Sequence, residues 1–387
     1  MSRKNTLMFS PIKVGPITIP NRFMRSATWE MLAKPDGCPT DDLTDLIKNY
    51  ASAGVGLIVP GALVITKDRS GKLPLQCRIG TPFQAERWKN TVDFVHKHGS
   101  KIMFQFSRAG LNALNPISPS IIPGLTPPLC HELTNEEIEN LIQLYINSTQ
   151  LSVNIAGVDG VQIHACHGSL LSTFLSPLFN RRTDKWGDRN RLISEIITNV
   201  RSVLPKDKLL SIKMNGSDNK GALGILPENA AQTVSLLSKN VDLFEISCGL
   251  NPGHTTRSNL DEKGFIRSIK RVIKSKEEQQ IELEKVRKIY KGHKYFDSYT
   301  AGMCRTIKKM NPHVHLASVG GWRSFDSMEK FIKEGVVDLI SISRPFLRDP
   351  YLVRRFQAGT IDEVTCKSCG LCLSDFHSGV YCHQKSD

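Results

Sequence analysis

Two histidines, His164 and His167, stand three residues apart directly after a short apolar run, Val161 to Ile163. Titratable residues that end a buried strand just before a glycine are typical of the carboxyl edge of a parallel α/β sheet, where such folds place their chemistry. Three uses fit the pair: donating hydrogen bonds to one anionic or carbonyl oxygen, binding a metal, or filling a structural position. No acidic third ligand stands beside the pair at helical spacing, which favours oxygen binding over zinc.

Two loops near the end of the chain have the composition of a phosphate site. Ser318-Val319-Gly320-Gly321 follows one predicted strand, and Ser343-Arg344 follows the next. Glycine lets backbone N–H groups approach an anion, and barrels often hold a phosphate at the loops after strands seven and eight. Gln105 is a further candidate, because an amide in the apolar strand Ile102 to Phe106 either satisfies itself in the core or contacts the edge of a ligand.

Ten cysteines divide into two groups. Six are scattered singly, which does not resemble a disulfide scaffold and predicts reduced thiols. The other four, Cys366, Cys369, Cys372 and Cys382, form a C-terminal cluster for which an iron–sulfur centre, a zinc ion and free thiols all stay open. No apolar run approaches the roughly 20 residues of a membrane span, and no apolar segment follows the first six residues. These features predict a cytoplasmic protein with no membrane partner.

Strands and helices alternate along most of the chain. A helix end, a glycine and an apolar run recur at Gly54-Val55, Gly157-Val158 and Gly335-Val336. Eight such strands favour a closed TIM (β/α)8 barrel over an open sheet, preceded by an N-terminal hairpin. The interval after strand 6 is too long for one unit, which predicts an insertion at about 255–296. We therefore expect a barrel over 1–360 and a cysteine-rich tail over 361–387.

The formal charge of +14 is concentrated rather than spread. Residues 263–294 hold eleven Lys or Arg against four Glu. A solvated basic face explains such a run more simply than a nucleic-acid or membrane site, so we expect no nucleic-acid partner. A small-molecule substrate is the expected partner, and the sequence leaves open whether the protein forms a homo-oligomer.

Four sequence segments together resemble the Old Yellow Enzyme family, whose flavin-dependent barrels include the N-terminal barrel of 2,4-dienoyl-CoA reductase. They are P-I-K-V-G-x-I-T-I-x-N-R at 11–22, D-G-V-Q-I-H-A-C-H-G at 159–168, F-L-S-P-L-F-N-R-R-T-D at 174–184, and S-V-G-G with S-R-P-F-L-R-D-P at 318–321 and 343–350. The resemblance implies a barrel that holds FMN, is reduced by NADH or NADPH, and passes hydride to an activated alkene, an enone or a quinone.

The resemblance also assigns roles to individual positions. FMN would be bound by residues of both barrel halves: Ser26, Ala27, Thr28, Trp29, Ala62, Gln105, Lys213, Gly320, Gly321, Ser343 and Arg344. His164 and His167 would hold the oxygen of the substrate, on which negative charge develops as hydride arrives.

Several positions depart from the family pattern. Ser169 replaces the usual tyrosine acid two residues after the second histidine, and a serine hydroxyl is a poor acid at neutral pH. Lys213 replaces the usual arginine beside the flavin, which keeps the charge and loses the bidentate fork. The tail spacing is one residue shorter than in relatives that hold a 4Fe-4S cluster. These departures leave a degenerate flavin barrel with little activity as one alternative. A flavoprotein that modifies tRNA like a dihydrouridine synthase, suggested by the charge of +14, is less favoured because the paired histidines argue against it.

Overall fold

The fold was analysed in a computed structural model, which describes residues 2–67, 75–111, 113, 115–127, 129–250, 275–290, 297–373 and 379–384. An antiparallel hairpin, Ile12–Val14 with Ile17–Ile19, precedes the main sheet, as predicted. In this part of the chain no helix has the length and apolar character needed to cross a membrane.

Eight parallel strands close on themselves. They are β1 (Phe23–Arg25), β2 (Leu57–Ile58), β3 (Lys101–Ser107), β4 (Gly160–Ala165), β5 (Leu209–Ser217), β6 (Leu243–Cys248), β7 (His315–Val319) and β8 (Leu339–Ile342). Each pairs with the next along the chain, and β8 pairs with β1, so the ring has no free edge. The predicted TIM barrel is confirmed.

A helix follows each strand on the outside. They are α1 (Asp41–Ser52), α2 (Lys89–Lys97), α3 (Asn135–Leu151), α4 (Arg191–Val203), α5 (Pro227–Leu237), α6 (Ala301–Met310), α7 (Phe325–Lys333) and α8 (Leu352–Ala358). Shorter helices cover Pro82–Glu86, Leu170–Leu175 and Arg344–Arg348, and α3 continues into a π-helical turn, Ser152–Ala156.

The helix ends follow local chemistry. Thr134 and Glu137 form a capping box at the start of α3, and Gly157 ends its π turn in the left-handed conformation at φ 80°. The apolar periodicity after Thr81 predicts one helix that runs to His98-Gly99, but the structure has two, Pro82–Glu86 and Lys89–Lys97. They are divided at Trp88, whose side chain is fully buried.

An aspartate at the amino-terminal end of alternate strands ties each to its predecessor. Asp159, Asp242 and Asp338 immediately precede β4, β6 and β8, respectively. Their carboxylates accept hydrogen bonds from the backbone N–H of Ile102 on β3 (2.9 Å), Leu210 on β5 (2.8 Å) and Leu316 on β7 (2.8 Å), respectively. Because these contacts lie at the end opposite to the catalytic face of such barrels, they serve stability.

We expect Asp159→Asn to lower the free energy of unfolding by roughly 1–3 kcal/mol. Asp159 also accepts from His96 Nε2 at 2.8 Å and lies 3.3 Å from Lys101 Nζ. Burial pushes its pKa upward, but the bonds from His96 and Ile102 prevail and hold the pKa below its ordinary value. Its contribution is therefore present above the pKa of an unfolded aspartate and lost as the pH falls through the lower folded value.

Urea unfolding of the unmodified protein and of Asp159→Asn at pH 7 and pH 3 measures the loss of stability and its dependence on pH. The exposed Asp207→Asn is the matched control and should change stability by less than about 0.5 kcal/mol. Equal losses for both variants would contradict a special role for Asp159.

The predicted insertion and tail are described in part. Within the insertion a helix spans Lys276–Tyr290, whereas the apolar positions of the basic run, Phe265 to Ile273, lie outside the described residues. The tail is held against the barrel by backbone and side-chain bonds. Val380 N donates to Glu30 O at 2.8 Å, and Arg323 Nη1 donates to Cys366 O at 2.7 Å.

Candidate active site

A large cavity opens at the carboxyl ends of the barrel strands. Its open volume is about 1370 Å³, solvent at the mouth included. The lining includes nearly all the residues singled out from the sequence: Ala27, Thr28, Trp29, Ala62, Gln105, His164, His167, Ser169, Lys213, Gly320, Gly321, Ser343 and Arg344. The barrel thus gathers residues that are up to 317 positions apart, from 27 to 344, into one site.

The two histidines are each held by a serine from another strand. Ser107 Oγ, at the end of β3, lies 3.0 Å from His164 Nδ1. Ser247 Oγ, near the end of β6, lies 2.6 Å from His167 Nε2. The rings are 6.0 Å apart and steeply inclined. Each contact holds one nitrogen of the ring and thereby fixes the orientation of the imidazole at the cavity wall.

Both imidazoles are neutral at physiological pH. Burial, with a smaller contribution from the Lys213 ammonium, lowers the pKa of His164 to about 3. Burial, then Lys213 and His164, lower the pKa of His167 well below its ordinary value. A neutral imidazole carries one N–H donor, and such a donor suits an oxygen that becomes negative during a reaction.

We expect the FMN-free protein to lose stability as the pH falls from 7 to 5. The unfolded histidines titrate near pH 6.5 and the folded ones far lower, so in this window the unfolded chain binds more protons and acid favours unfolding. If both histidines were fully protonated in the unfolded chain and fully neutral in the folded one, stability would fall by roughly 2.7 kcal/mol per pH unit. Both rings are only half-buried, and water in the cavity reduces the effect. We therefore expect about 1 kcal/mol per unit.

Chemical unfolding at half-unit pH intervals tests the expected slope. The double variant His164→Asn/His167→Asn should flatten the slope between pH 7 and pH 5. An unchanged slope in that variant would show that other groups carry the pH dependence.

Gln105 belongs to a relay of side chains across four strands. Its Nε2 donates to Gln162 Oε1 at 2.6 Å, Gln162 Nε2 donates to Ser211 Oγ at 3.1 Å, and Ser211 Oγ donates to Leu243 O at 2.9 Å. The relay fixes the orientation of the Gln105 amide and directs its nitrogen to Gln162. Its oxygen is then the acceptor available to a ligand at the cavity wall.

Lys213 brings a positive charge to the floor of the cavity. Its Nζ lies 3.3 Å from Glu245 Oε1 and donates to Ser26 Oγ at 2.7 Å. Ser26 was expected to line the cofactor site, but it is fully buried behind the cavity wall, where its hydroxyl donates to Glu245 at 2.5 Å. Glu245 itself was not singled out from the sequence.

The proposed phosphate end of the cavity combines glycines with cations. Gly320 and Gly321 have φ values of 135° and 83°, which L side chains rarely adopt. A Cβ on Gly320 would lie 2.5 Å from Cε2 of Tyr299, so the aromatic ring packs directly on this glycine. Arg344 and Arg323 line the same region. Tyr299 and Arg323 are lining residues that the sequence motifs did not indicate.

Ser169 lines the cavity but its hydroxyl is engaged. Ser169 Oγ donates to the backbone oxygen of His164 at 3.1 Å. The proton of this hydroxyl therefore points at the protein backbone rather than into the cavity. This geometry, added to the weak acidity of serine, gives Ser169 no proton to transfer in the conformation observed.

Cys166 lies within reach of the histidine pair. Ligand atoms of His164, Cys166 and His167 lie within 4.8 Å of one another, and among the described residues no other group of three such side chains meets this distance. The sequence argument against zinc considered only acidic third ligands, so it missed this thiol. Burial raises the pKa of Cys166 far above its ordinary value, and Cys166 is not among the cavity-lining residues.

The four tail cysteines surround a small second cavity together with Arg344. Cys366 lines the main cavity as well. Burial raises the pKa of Cys372 to about 12, against the opposing effect of Arg344. No three of their sulfurs lie within 4.8 Å of one another, whereas a tetrahedral zinc ion places thiolates roughly 3.8 Å apart. The spread is wider than a single zinc ion requires.

The class of protein follows from this barrel and from a family match. The sequence of residues 7–249 matches the NADH:flavin oxidoreductase / NADH oxidase family. The chain belongs to this family, and the resemblance to Old Yellow Enzyme is confirmed. The barrel fold and the sequence match thus agree on a family of flavin-dependent oxidoreductases.

Two curated relatives and one solved structure illustrate which known proteins the chain is similar to. A Thermoanaerobacter brockii NADH oxidase is 24% identical over 94% of this chain, which spans only 53% of that protein. A Rhodococcus erythropolis 4,4'-dithiodibutanoate disulfide reductase is 24% identical, with 97% of this chain and 94% of the relative covered. The Old Yellow Enzyme homologue from Zymomonas mobilis shares the fold with a TM-score of 0.67, 21% identity, and 92% and 93% coverage.

Proposed function

We propose that the protein binds FMN and transfers hydride from NADH or NADPH to an electrophilic small molecule. The observation that carries the proposal is the meeting of two neutral histidines, a buried lysine and a glycine–arginine anion site in one cavity. When bound, FMN accepts hydride from the nicotinamide and delivers it to the acceptor. The acceptor then takes a proton from water, so that two electrons and two hydrogens are gained in total.

The donor set of the cavity fits FMN. Gly320, Gly321, Ser343 and Arg344 supply backbone and guanidinium donors for a phosphate. The Gln105 oxygen, oriented through Gln162, would accept a hydrogen bond from the ring edge. The remaining predicted FMN-binding positions, Ala27, Thr28, Trp29 and Ala62, form a largely apolar wall of the same cavity.

His164 and His167 would hold the acceptor oxygen. Both rings are neutral and each is oriented by a serine. Where that serine donates to the ring, the other ring nitrogen carries the N–H, which would need no reorganisation when charge develops on the acceptor. Ser169 does not complete this site as an acid, because its proton is directed to a backbone carbonyl. We therefore propose quinone-like acceptors, whose reduced oxygens are protonated by water, ahead of enones that need a positioned acid at carbon.

For the tail we propose an iron–sulfur centre ahead of zinc. Among the described residues no three of the four sulfurs meet within 4.8 Å, and Cys366 lines both the tail cavity and the main cavity. Iron, acid-labile sulfide and zinc should be measured after anaerobic purification. Stoichiometric zinc without sulfide would reverse this preference, and neither metal would leave the cysteines as thiols.

The visible spectrum tests the main proposal. The purified protein, supplied with FMN, should show flavin absorbance that bleaches on anaerobic addition of NADPH or NADH and returns when a quinone is added. A protein that cannot be loaded with FMN contradicts flavin binding. Loading without bleaching by either nucleotide supports the degenerate flavin barrel instead.

A further inference from the structure

A buried hydrogen-bonded group of charges lies beneath the proposed flavin site. It consists of Lys213 on β5, Glu245 on β6, Ser26 after β1 and Ser341 on β8. Glu245 Oε1 accepts from Ser26 Oγ at 2.5 Å and from Ser341 Oγ at 2.8 Å, and lies 3.3 Å from Lys213 Nζ. The side chains of Lys213 and Glu245 are only 4% and 0% exposed, so this is a buried ion pair.

The strand register places this ion pair at the cavity floor. Lys213 is directly opposite Glu245 on β6 and opposite His164 on β4. Lys213 and Ser341 line the cavity, whereas Glu245 and Ser26 lie behind them. A ligand in the cavity therefore contacts the ammonium side of the pair, with the carboxylate one layer deeper.

Glu245 is held in this place at an energetic cost. Its second oxygen, Oε2, is buried and has no hydrogen-bond partner within the described part of the chain. A buried carboxylate with one unpaired oxygen is unfavourable unless an opposite charge compensates it. Lys213 provides that compensation, and the floor of the cavity as a whole is neutral rather than carrying the net +1 of an unpaired lysine.

We infer that Glu245 tunes the redox potential of the cofactor by offsetting the charge of Lys213; the inference rests on the proposed binding of FMN. Reduction adds negative charge to a flavin, and a nearby cation stabilises that charge whereas an anion does the opposite. In a buried site with weak screening both effects are large. Glu245 thus lowers the potential, which makes hydride transfer onward to the acceptor more favourable at the expense of reduction by NAD(P)H.

Glu245→Gln keeps the shape of the side chain and removes its charge. At a potential fixed by a redox dye, the ratio of reduced to oxidised FMN, measured spectroscopically, should increase at least tenfold. For a two-electron couple this corresponds to about 30 mV. Lys213→Met should shift the ratio in the opposite direction, and Ser341→Ala, which changes no charge, should shift it by less than about threefold.

The double variant Lys213→Met/Glu245→Gln provides a second test of the role of Glu245, which can be used even if the single variant Glu245→Gln does not fold. With both charges removed the potential should return toward that of the unmodified protein and lie above that of Lys213→Met. Variants that bind FMN with unchanged potentials, or a double variant identical to Lys213→Met, would overturn the role of Glu245. Failure of the unmodified protein to bind FMN would instead contradict the proposed function.

Discussion

Replacing His164 by Phe is expected to slow hydride transfer to the acceptor by 10²- to 10³-fold while leaving the binding of FMN within about threefold. Phenylalanine keeps most of the ring volume but removes both nitrogens, so the acceptor oxygen loses one preoriented donor. Loss of one such donor in other enzymes costs a factor of that size. Anaerobic stopped-flow mixing should show normal reduction by NADPH and a slow reoxidation by quinone.

Two further variants test the specificity of this result. His167→Phe should have an effect of the same order, because a serine orients this ring too: Ser247 contacts Nε2 of His167, as Ser107 contacts Nδ1 of His164. His98→Phe is the matched control, since His98 is exposed, its side chain bonds to the oxygen of Phe94 and its ring stacks on that of Phe94, so both contacts are local to helix α2 and its end. If FMN is lost from the His164 variant, the histidines are structural and the assignment of their role is wrong.

The barrel was predictable because its signals are local. A glycine that ends a helix, an apolar strand and a threonine that caps the next helix each act over a few residues, and their regular alternation leaves few other folds. The break in the helix after Thr81 was not predictable in this way, because it depends on where the Trp88 side chain is buried.

The site was predictable only where a motif indicated it. The histidines, the glycine pair and Gln105 stand in recognisable segments and do meet in one cavity. The hydrogen-bond partners of the histidines do not stand in recognisable segments. Ser107 is 57 positions from His164, and Ser247 is 80 positions from His167. A serine near a strand end is common in any sequence, and its role depends on register between strands that the sequence alone does not fix.

Charge pairing across the barrel was missed for the same reason. Lys213 was identified through the family pattern, but its partner Glu245 lies in a mostly apolar strand with no motif around it. A carboxylate at such a position is itself a signal, because buried carboxylates are rarely left unpaired. Searching each predicted strand for a single charge, and then pairing charges of opposite sign between neighbouring strands, would have found it.

Gly320→Ala is expected to weaken FMN binding by about 10- to 100-fold, roughly 1.4–2.8 kcal/mol. Gly320 has a φ of 135°, which is open essentially to glycine alone and costs another residue roughly 1–3 kcal/mol. The added Cβ would also lie 2.5 Å from the Tyr299 ring. Either the loop or the ring must then move, and both belong to the end of the cavity where we place the phosphate. Fluorescence titration with FMN measures the change.

Two variants separate the backbone effect from the steric one. Gly302→Ala, in helix α6, meets no atom within 4 Å and should raise stability by up to about 1 kcal/mol without changing FMN affinity. In Gly320→Ala/Tyr299→Ala the ring is absent, so affinity should recover in part if the collision with Tyr299 contributes and should stay low if the backbone conformation is decisive. Normal affinity in Gly320→Ala alone would show that this loop does not hold the phosphate, and the anion site would then have to be sought nearer Arg323.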